Sequence, residues 1–333
     1  EQDTDYLLQN DPDLPDWNPR GCQKGIVTVH HMYDESRILH PLKRVGERGS
    51  GKWQQVSWDE ALRDIADTML DVITTEGIDT IARFPGSGGG AGAEFASYVA
   101  LMQALEIPLT AIMTDLGDEH QGCALVFGQP YVGGSVDNWY YADILLIWGG
   151  NPAYTNINNY HFITEARYNG TKVITISPDF SASAVQADLW VPVNIGTDAA
   201  LALSMAQVII QEKLYKADFI MEQTDLPVLV REDNKKFLRQ ADMKKGGRDD
   251  IYYFWDSKTG KIVEAPRKSL ALGNLVPALE GEYEVSTLGG KVKVKPVFQL
   301  LKEKLQDYTP EKASRITVVS PRMIVQLARD IAK

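Results

Sequence analysis

Apolar residues recur at helical spacing in the segment "SWDEALRDIADTMLDVI". Leu62, Ile65 and Met69 follow one another at intervals of three and four residues, which places them on one face of a helix. Ser57 and Glu60 fit a capping box at its start. We expect this helix to pack on a core and to be structural. The preceding residues 1–56 lack such spacing and are rich in Arg, Lys, His and Gly, which predicts a loop-rich, cationic segment.

Strand and helix patterns alternate over residues 80–215. "TIARFPGSGGG", "ADILLIW", "KVITISP" and "ADLWVPV" are typical of strands followed by turns. "AEFASYVALMQAL", "NNYHFITEARYNG" and "TDAALALSMAQVIIQEKL" are typical of helices. Alternation of this kind favours an α/β fold with parallel strands and helices on both faces. We assign it to a region spanning residues 57–235.

The pattern changes near residue 240. "DIYYFWDSKTGKIVEAPR" and "GEYEVSTLGGKVKVKPVF" predict two β-hairpins, which turn at Gly260 and at Gly289-Gly290. We assign residues 236–295 to a β-hairpin insertion and residues 296–333 to a helical tail. Because the chain begins with Glu1 rather than Met and stops within a helical pattern, we expect it to be part of a longer protein.

Composition excludes two classes of partner. The formal net charge is −11 and no basic cluster interleaved with aromatic residues offsets it, which argues against nucleic acid. No run of eighteen apolar residues occurs, so the sequence predicts no membrane span of its own. The two cysteines, Cys22 and Cys123, are too few for a disulfide framework. Cys22 lies in the polar, Gly- and Pro-rich segment "DLPDWNPRGCQKG", and Cys123 is interpreted as a small packing residue.

Polar, Gly-containing turns follow three successive predicted strands. Ligands of open α/β sheets sit beyond the carboxyl ends of strands, where glycines allow close approach and helix N-termini favour phosphate. The turns therefore indicate a nucleotide, with ordinary capped turns as the alternative. No G-x-G-x-x-G follows a strand and no Walker A sequence occurs, which disfavours NAD and ATP. The candidate residues are Gly149, Gly150, Asn151, Asp179, Gly196, Thr197 and Asp198.

Acidic residues and an imidazole cluster in "IMTDLGDEHQGCALVFG". Asp115, Asp118, Glu119 and His120 stand close together between small residues. Such a set suits a hard metal ion or general acid/base chemistry. A solvated loop has much the same composition, so both interpretations stay open at this point.

Five blocks together resemble a known family. "DLPDWNPRGCQKG", "RILHPLKRVGERGSGKWQQVSWDEAL", "IWGGNPAYTN", "TISPDFSASAVQADLWVPVNIGTDAAL" and "YTPEKASRITVVSPRMIVQLARDIA" resemble successive blocks of the molybdopterin oxidoreductases of the dimethyl sulfoxide reductase type. Within that family the chain is most similar to the group with aspartate-ligated molybdenum. The resemblance implies Rossmann-like parallel sheets, a molybdenum bis(molybdopterin guanine dinucleotide) cofactor and a [4Fe-4S] cluster.

The resemblance also implies roles for single residues. Cys22 matches the last cysteine ligand of the cluster, whose other ligands are expected upstream of this chain, and Lys24 matches the basic residue between cluster and pterin. Asp118 matches the molybdenum ligand, with Asp115 as the fallback. His120 either steers substrate or protons, or is a neutral, hydrogen-bonded imidazole. The seven strand-end residues match positions that contact the guanosine and pyrophosphate of the dinucleotide.

The function implied is that of part of a catalytic subunit performing two-electron oxygen-atom transfer. Nitrite/nitrate interconversion is the expected substrate pair, with chlorate, perchlorate or selenate reduction and hydrocarbon dehydrogenation as alternatives. The expected partners are the remainder of the same subunit and an iron-sulfur electron-transfer subunit. By resemblance, the compartment is the periplasm or another respiratory compartment, with membrane association through partners. A non-catalytic structural or electron-transfer paralogue and an unrelated α/β nucleotide-binding module are the alternatives of other classes.

Overall fold

The chain divides into two compact units, with the boundary between Asn138 and Trp139. The computed structural model describes residue 15 and residues 21–82, 93–107, 121–129 and 133–333. We call the described residues up to Asn138 the N-terminal unit and those from Trp139 the C-terminal unit. None of the helices in these ranges is long and apolar enough to cross a membrane.

Short elements and one long helix make up the N-terminal unit. Its helices are α1 (Gln23–Ile26), α2 (Thr28–Met32), α3 (Trp58–Thr75), α4 (Ala93–Ala104) and α5 (Gln121–Phe127), with a 3₁₀ turn at Ile78–Thr80. A second 3₁₀ turn, Val136–Tyr141, includes the boundary between the units. Its strands are β1 (Leu42–Arg44) and β2 (Trp53–Gln55), which pair antiparallel. The sequence did not predict this hairpin, because strands of three residues carry too few positions for an alternating pattern.

The long helix α3 begins as the sequence predicts. The Ser57 Oγ atom accepts a hydrogen bond from the Glu60 backbone N–H at 3.1 Å, which satisfies one of the unpaired donors of the first turn. The expected packing on a core is wrong for the described residues: none of α3 is buried, and Leu62 and Ile65 are 59% and 57% exposed. Amphipathic spacing sets the helix and its apolar stripe, whereas burial depends on a covering surface that the pattern does not specify.

The C-terminal unit contains the parallel sheet and the antiparallel elements. Its strands are β3 (Ile144–Trp148), β4 (Lys172–Ile176), β5 (Leu189–Val191), β6 (Leu229–Arg231), β7 (Tyr253–Asp256), β8 (Lys261–Glu264), β9 (Tyr283–Thr287) and β10 (Gly290–Pro296). Its helices are α6 (Pro152–Thr155), α7 (Tyr160–Tyr168), α8 (Ala182–Val185), α9 (Asp198–Gln211), α10 (Ala217–Gln223), α11 (Gln240–Met243), α12 (Val297–Leu305), α13 (Pro310–Thr317) and α14 (Pro321–Ile331). A 3₁₀ turn, Ile157–Asn159, precedes α7.

The three predicted strands β3, β4 and β5 form one parallel sheet in that order. Side chains alternate between the two faces of the sheet, and both faces are covered by packing. Ile174 and Ile176 pack in one core with residues of α9, α13 and α14. Ile147 and Val173 point to the other face and pack with Ile163 of α7. The predicted α/β class, with helices on both faces of a parallel sheet, is confirmed.

Both predicted hairpins are present. β7 pairs antiparallel with β8 across the turn at residues 257–260, and β9 pairs with β10 across Leu288 and Gly289. β10 also pairs with β6, so residues 229–231 join the antiparallel sheet. Leu229, Leu238 and Val294 are fully buried between these elements. The domain boundaries assigned from sequence stay predictions.

An ion pair ties the C-terminal helix to the parallel sheet. The Lys172 Nζ atom on β4 donates to Asp330 Oδ2 on α14 at 2.6 Å, and the Asp330 side chain is 7% exposed. Burial disfavours the charged form of Asp330, but hydrogen bonds from Lys172 and Gln326 outweigh it and lower the pKa of this carboxyl. The charged pair therefore joins two elements that are 158 residues apart.

We expect Asp330→Asn to lower the free energy of unfolding at pH 7 by about 1–2 kcal/mol, because Lys172 loses its anionic partner. A lowered carboxyl pKa contributes stability above its unfolded value, about 3.9, and that stability is lost as the pH falls through the folded value. The difference in free energy of unfolding between wild type and variant should therefore shrink below about pH 4. Pulsed hydrogen exchange of peptides from β4 and α14 in urea measures this difference.

The matched control is Asp307→Asn, which removes an exposed carboxylate whose contact with Lys312 is 3.8 Å long. This exposed pair should contribute little at either pH. Equal effects of the two substitutions at pH 7 would show that the pair between β4 and α14 has no special role.

Candidate functional site

The first of three strand-end turns follows β3. The Gly149 N–H donates to the Ile176 carbonyl at 2.9 Å, and Gly149 has a φ of +67°, a conformation that favours glycine. The Asn151 Oδ1 atom accepts a hydrogen bond from Ser183 Oγ at 2.8 Å. Ser183 Oγ in turn accepts from the Ala153 N–H at 3.1 Å. The Asn151 side chain thus fixes this turn to α8.

The second turn follows β4, is held by Trp190 and carries an exposed carboxylate. The Trp190 indole N–H donates to the Ser177 carbonyl at 3.1 Å, and the Phe180 ring lies edge-on to Trp190 with 5.2 Å between centroids. Asp179 is exposed. In the described part of the chain, the Ser181 Oγ atom is buried and has no hydrogen-bond partner. An unpaired buried hydroxyl is costly in a protein alone and suits a site where a ligand supplies the partner.

The third turn follows β5 and leads into α9. Gly196 has a φ of +78°, and a Cβ atom built on it meets nothing within 4 Å. Thr197 precedes the helix as predicted, but its hydroxyl donates to the Asn194 carbonyl at 2.7 Å instead of capping the helix. Asp198 is the first residue of α9, where a negative charge meets the positive end of the helix.

A side-chain hydrogen bond joins the first turn to the third. The Trp148 Nε1–H donates to Asp198 Oδ1 at 2.6 Å. Because β3, β4 and β5 are parallel neighbours, the carboxyl ends of all three strands meet at one edge of the sheet. All seven predicted residues lie in the turns at this edge or at the start of the helix that follows. Their contacts with a cofactor stay predictions.

The chemistry of this edge fits a nucleotide that carries phosphates. A Cβ atom built on Gly149 or Gly196 meets nothing within 4 Å, so a phosphate has room to approach the backbone at these turns. Asp179 and Asp198 are carboxylates, which when ionised only accept hydrogen bonds, so they suit the ribose hydroxyls and base N–H groups of guanosine rather than pyrophosphate oxygens. Ser181 supplies a buried hydroxyl at the same edge.

Several residues that shape this edge carry no signal in the sequence. Ser183 and Trp190 hold turns through hydrogen bonds, and Ser181 offers the unpaired hydroxyl. "SASA" and "DLWV" give no signal for these bonds, because each bond links residues that are distant in sequence and that only the fold brings together.

The predicted cluster ligand lies in the N-terminal unit. Cys22 is half-buried and precedes α1, and its carbonyl accepts from the Gly25 and Ile26 N–H groups at 3.1 and 3.2 Å. Lys24 lies within α1. Residues 23–32 therefore form two short helices where an irregular segment was expected. Residues 1–14 and 16–20 are outside the described residues.

The predicted molybdenum ligand lies outside the described residues, as do Asp115 and His120. Cys123 lies in α5 and is half-buried. Across residues 21–82, 93–107, 121–129 and 133–333, no group of three or more His, Cys, Asp or Glu side chains is placed to hold a metal ion. The metal assignments stay predictions.

Comparison with known proteins identifies relatives over nearly the whole chain. A family model described as Molybdopterin oxidoreductase matches residues 37–321. Dimethylsulfide dehydrogenase subunit alpha of Rhodovulum sulfidophilum is 40% identical over 98% of this chain and 36% of its own length. Chlorate reductase subunit alpha of Ideonella dechloratans is 42% identical over 97% of this chain and 35% of its own length. Respiratory nitrate reductase subunit alpha of Haloferax mediterranei is 37% identical over 100% and 35%.

The chain therefore spans about a third of the length of these relatives. Among solved structures, acetylene hydratase from Pelobacter acetylenicus superposes with a TM-score of 0.59 over 97% of this chain and 34% of that one. Its sequence identity is 23%, so the likeness shows a shared fold alone.

We expect Ser183→Ala to lower the local free energy of unfolding around β4 and α8 by about 1–2 kcal/mol, because Asn151 Oδ1 and the Ala153 N–H lose their buried partner. The matched control is Ser204→Ala on α9, since both serines are fully buried but Ser204 Oγ has no partner in the described structure. Native-state hydrogen exchange of peptides covering residues 172–208 measures both.

Removal of an unpaired buried hydroxyl should be neutral or slightly stabilising. If Ser204→Ala destabilised its region as much as Ser183→Ala, cavity formation rather than the hydrogen bonds of Ser183 would account for the loss.

Proposed function

Because the chain belongs to the molybdopterin oxidoreductase family, we propose that it is part of the catalytic subunit of a molybdenum enzyme for two-electron oxygen-atom transfer. When bound, the molybdenum-pterin group supplies the exchange of an oxygen atom and two electrons with substrate. The residues of this chain bind and orient that group. The alternative of another class is a non-catalytic structural or electron-transfer paralogue.

The observation that carries the proposal is the joined edge of the parallel sheet. Three polar turns end neighbouring strands there, and the bond from Trp148 to Asp198 links two of them. In the proposal, Gly149, Gly150 and Gly196 lie against the pyrophosphate of a molybdopterin guanine dinucleotide. Asp179 and Asp198 accept hydrogen bonds from the guanosine. Asn151 and Thr197 shape their turns through hydrogen bonds to protein, and they contact the dinucleotide through their remaining surface.

Metal ligation is proposed for two residues. Cys22 is proposed to ligate a [4Fe-4S] cluster, for which thiolate is the usual ligand, and Lys24 to place a positive charge between cluster and pterin. Asp118 is proposed to ligate molybdenum, because a carboxylate oxygen suits a hard, high-valent ion. His120 is proposed to steer substrate or protons near it. A cluster held by Cys22 would exchange electrons with an iron-sulfur partner subunit, in the direction that the substrate reaction requires.

The substrate is proposed from sequence similarity. Nitrite/nitrate interconversion is the pair favoured by the resemblance of "DLPDWNPRGCQKG" and "HFITEARYNGTKVITISPDF". A chlorate reductase subunit and a dimethylsulfide dehydrogenase subunit are at least as similar to this chain as the nitrate reductase subunit. Chlorate reduction is therefore the second candidate. In either case the substrate is a small oxyanion, and a periplasmic or other respiratory compartment is proposed.

We expect Cys22→Ala in the complete subunit to abolish the electron paramagnetic resonance signal of the cluster, because one of its ligands is removed. The matched control is Cys123→Ala, the other cysteine of the chain, which should leave the signal unchanged. The opposite pattern, with the signal lost only in Cys123→Ala, would assign the ligand to Cys123.

We expect the complete wild-type subunit to contain stoichiometric molybdenum and to release GMP on acid hydrolysis.

In Asp118→Ala, X-ray absorption should lose one oxygen scatterer at molybdenum, because the proposed protein ligand is removed. Asp115→Ala is the matched control, since it removes a carboxylate three residues away in the same segment.

If Asp115→Ala lost the scatterer instead, Asp115 would be the ligand. A complete subunit that contains neither molybdenum nor guanine nucleotide would be a non-catalytic paralogue.

A further inference from the structure

The hydrogen bond from Trp148 to Asp198 connects the end of one strand with the start of a distant helix. Trp148 is the last residue of β3, and Asp198, fifty residues later, is the first residue of α9. The bond is partly buried and 2.6 Å long. The Trp148 ring packs against the core shared by the sheet and α9. Packing fixes the ring, so the direction of its N–H is also fixed.

This bond constrains the carboxylate of Asp198. An indole has a single N–H donor, and here that donor engages Oδ1. The carboxylate rotamer is held, and Oδ2 is left to accept from a further donor. Asp198 also lies at the N-terminus of a helix of 14 residues, close to the positive end of the helix dipole. A charged acceptor in a fixed orientation is matched to the hydrogen-bond donors of guanosine.

We propose that Trp148 is a positioning residue, which orients the Asp198 carboxylate to accept a hydrogen bond from the guanosine of the bound dinucleotide. The inference rests on the proposed function, since it takes the dinucleotide as the ligand of this edge. Trp148 need not touch the ligand. Its contribution acts through Asp198, and this distinguishes it from a residue that only fills the core.

The structure also favours a role for the N–H over a role for ring volume alone. A hydrophobic residue of similar size at this position packs on the same core, because β3 places every second side chain on the α9 face. Only a donor reaches Oδ1 of Asp198 and determines which carboxylate oxygen remains available. Trp148→Phe keeps an aromatic ring and removes the donor, which makes it the informative substitution.

The test is a double-mutant cycle in the complete subunit with its cofactor bound. The variants are Trp148→Phe, Asp198→Asn and the two combined. The readout is the rate at which GMP-releasing cofactor leaves the protein in mild urea, with GMP quantified after acid hydrolysis. We expect each single variant to release cofactor about threefold faster or more. The combined variant should be no faster than Asp198→Asn, because Trp148 acts only through that carboxylate.

Trp255→Phe is the matched control. It also removes an indole N–H, but from β7, where the ring stacks on Tyr283 with 4.1 Å between centroids. Its release rate should equal that of wild type. Hydrogen exchange of α9 peptides shows whether any variant has lost local structure. If Asp198→Asn carries no cofactor, Asp198→Glu replaces it in the cycle, since it keeps the charge and moves the oxygens.

Two outcomes overturn the inference while leaving the proposed function intact. If Trp148→Phe releases cofactor at the wild-type rate, the N–H donor is dispensable. If the fold increases in release rate of the two single variants multiply in the combined variant, Trp148 acts independently of Asp198. Failure of the proposed function gives a different result, because a wild-type subunit that yields no GMP on hydrolysis has no guanine dinucleotide to orient.

Discussion

Parallel hydrogen bonding of β3, β4 and β5 is the constraint on which the candidate site depends. In a parallel sheet the carboxyl ends of all strands lie at the same edge. Turns that are up to about 50 residues apart in sequence therefore lie close together in space. The sheet is covered on both faces by apolar packing of α7 and of α9, α13 and α14. Burial on both sides fixes the register, and the register places Trp148 beside Ile176 and Ile176 beside Val191.

Polar groups at this edge divide into those that hold the turns and those that remain for a ligand. Asn151 bonds to Ser183, and the Thr197 hydroxyl bonds to a carbonyl of its own turn. Asp179 is exposed and Ser181 Oγ has no partner within the described structure. The same residue types thus serve two purposes, because preorganised turns require some of their polar groups to be satisfied internally.

Much of the fold was predictable because its signals are local. The strand ending at Trp148, the helix beginning at Asp198 and the hairpin turning before Gly290 each depend on spacing, caps and turn residues within a short window. The shared edge followed from those elements by topology. The bond from Trp148 to Asp198 and the exposure of Leu62 on α3 were not predictable, since each depends on which surface meets another.

The proposed role of this edge is compatible with the similar identities that the chain shares with relatives of different names. A turn that contacts guanosine or pyrophosphate recognises a part of the cofactor that takes no part in substrate chemistry, and such binding is compatible with many reactions. Dimethylsulfide dehydrogenase, chlorate reductase and nitrate reductase alpha subunits share 37–42% identity with it, which is consistent with common cofactor contacts. In the proposed function, substrate discrimination is instead expected from side chains around the metal, which Asp118 is proposed to ligate.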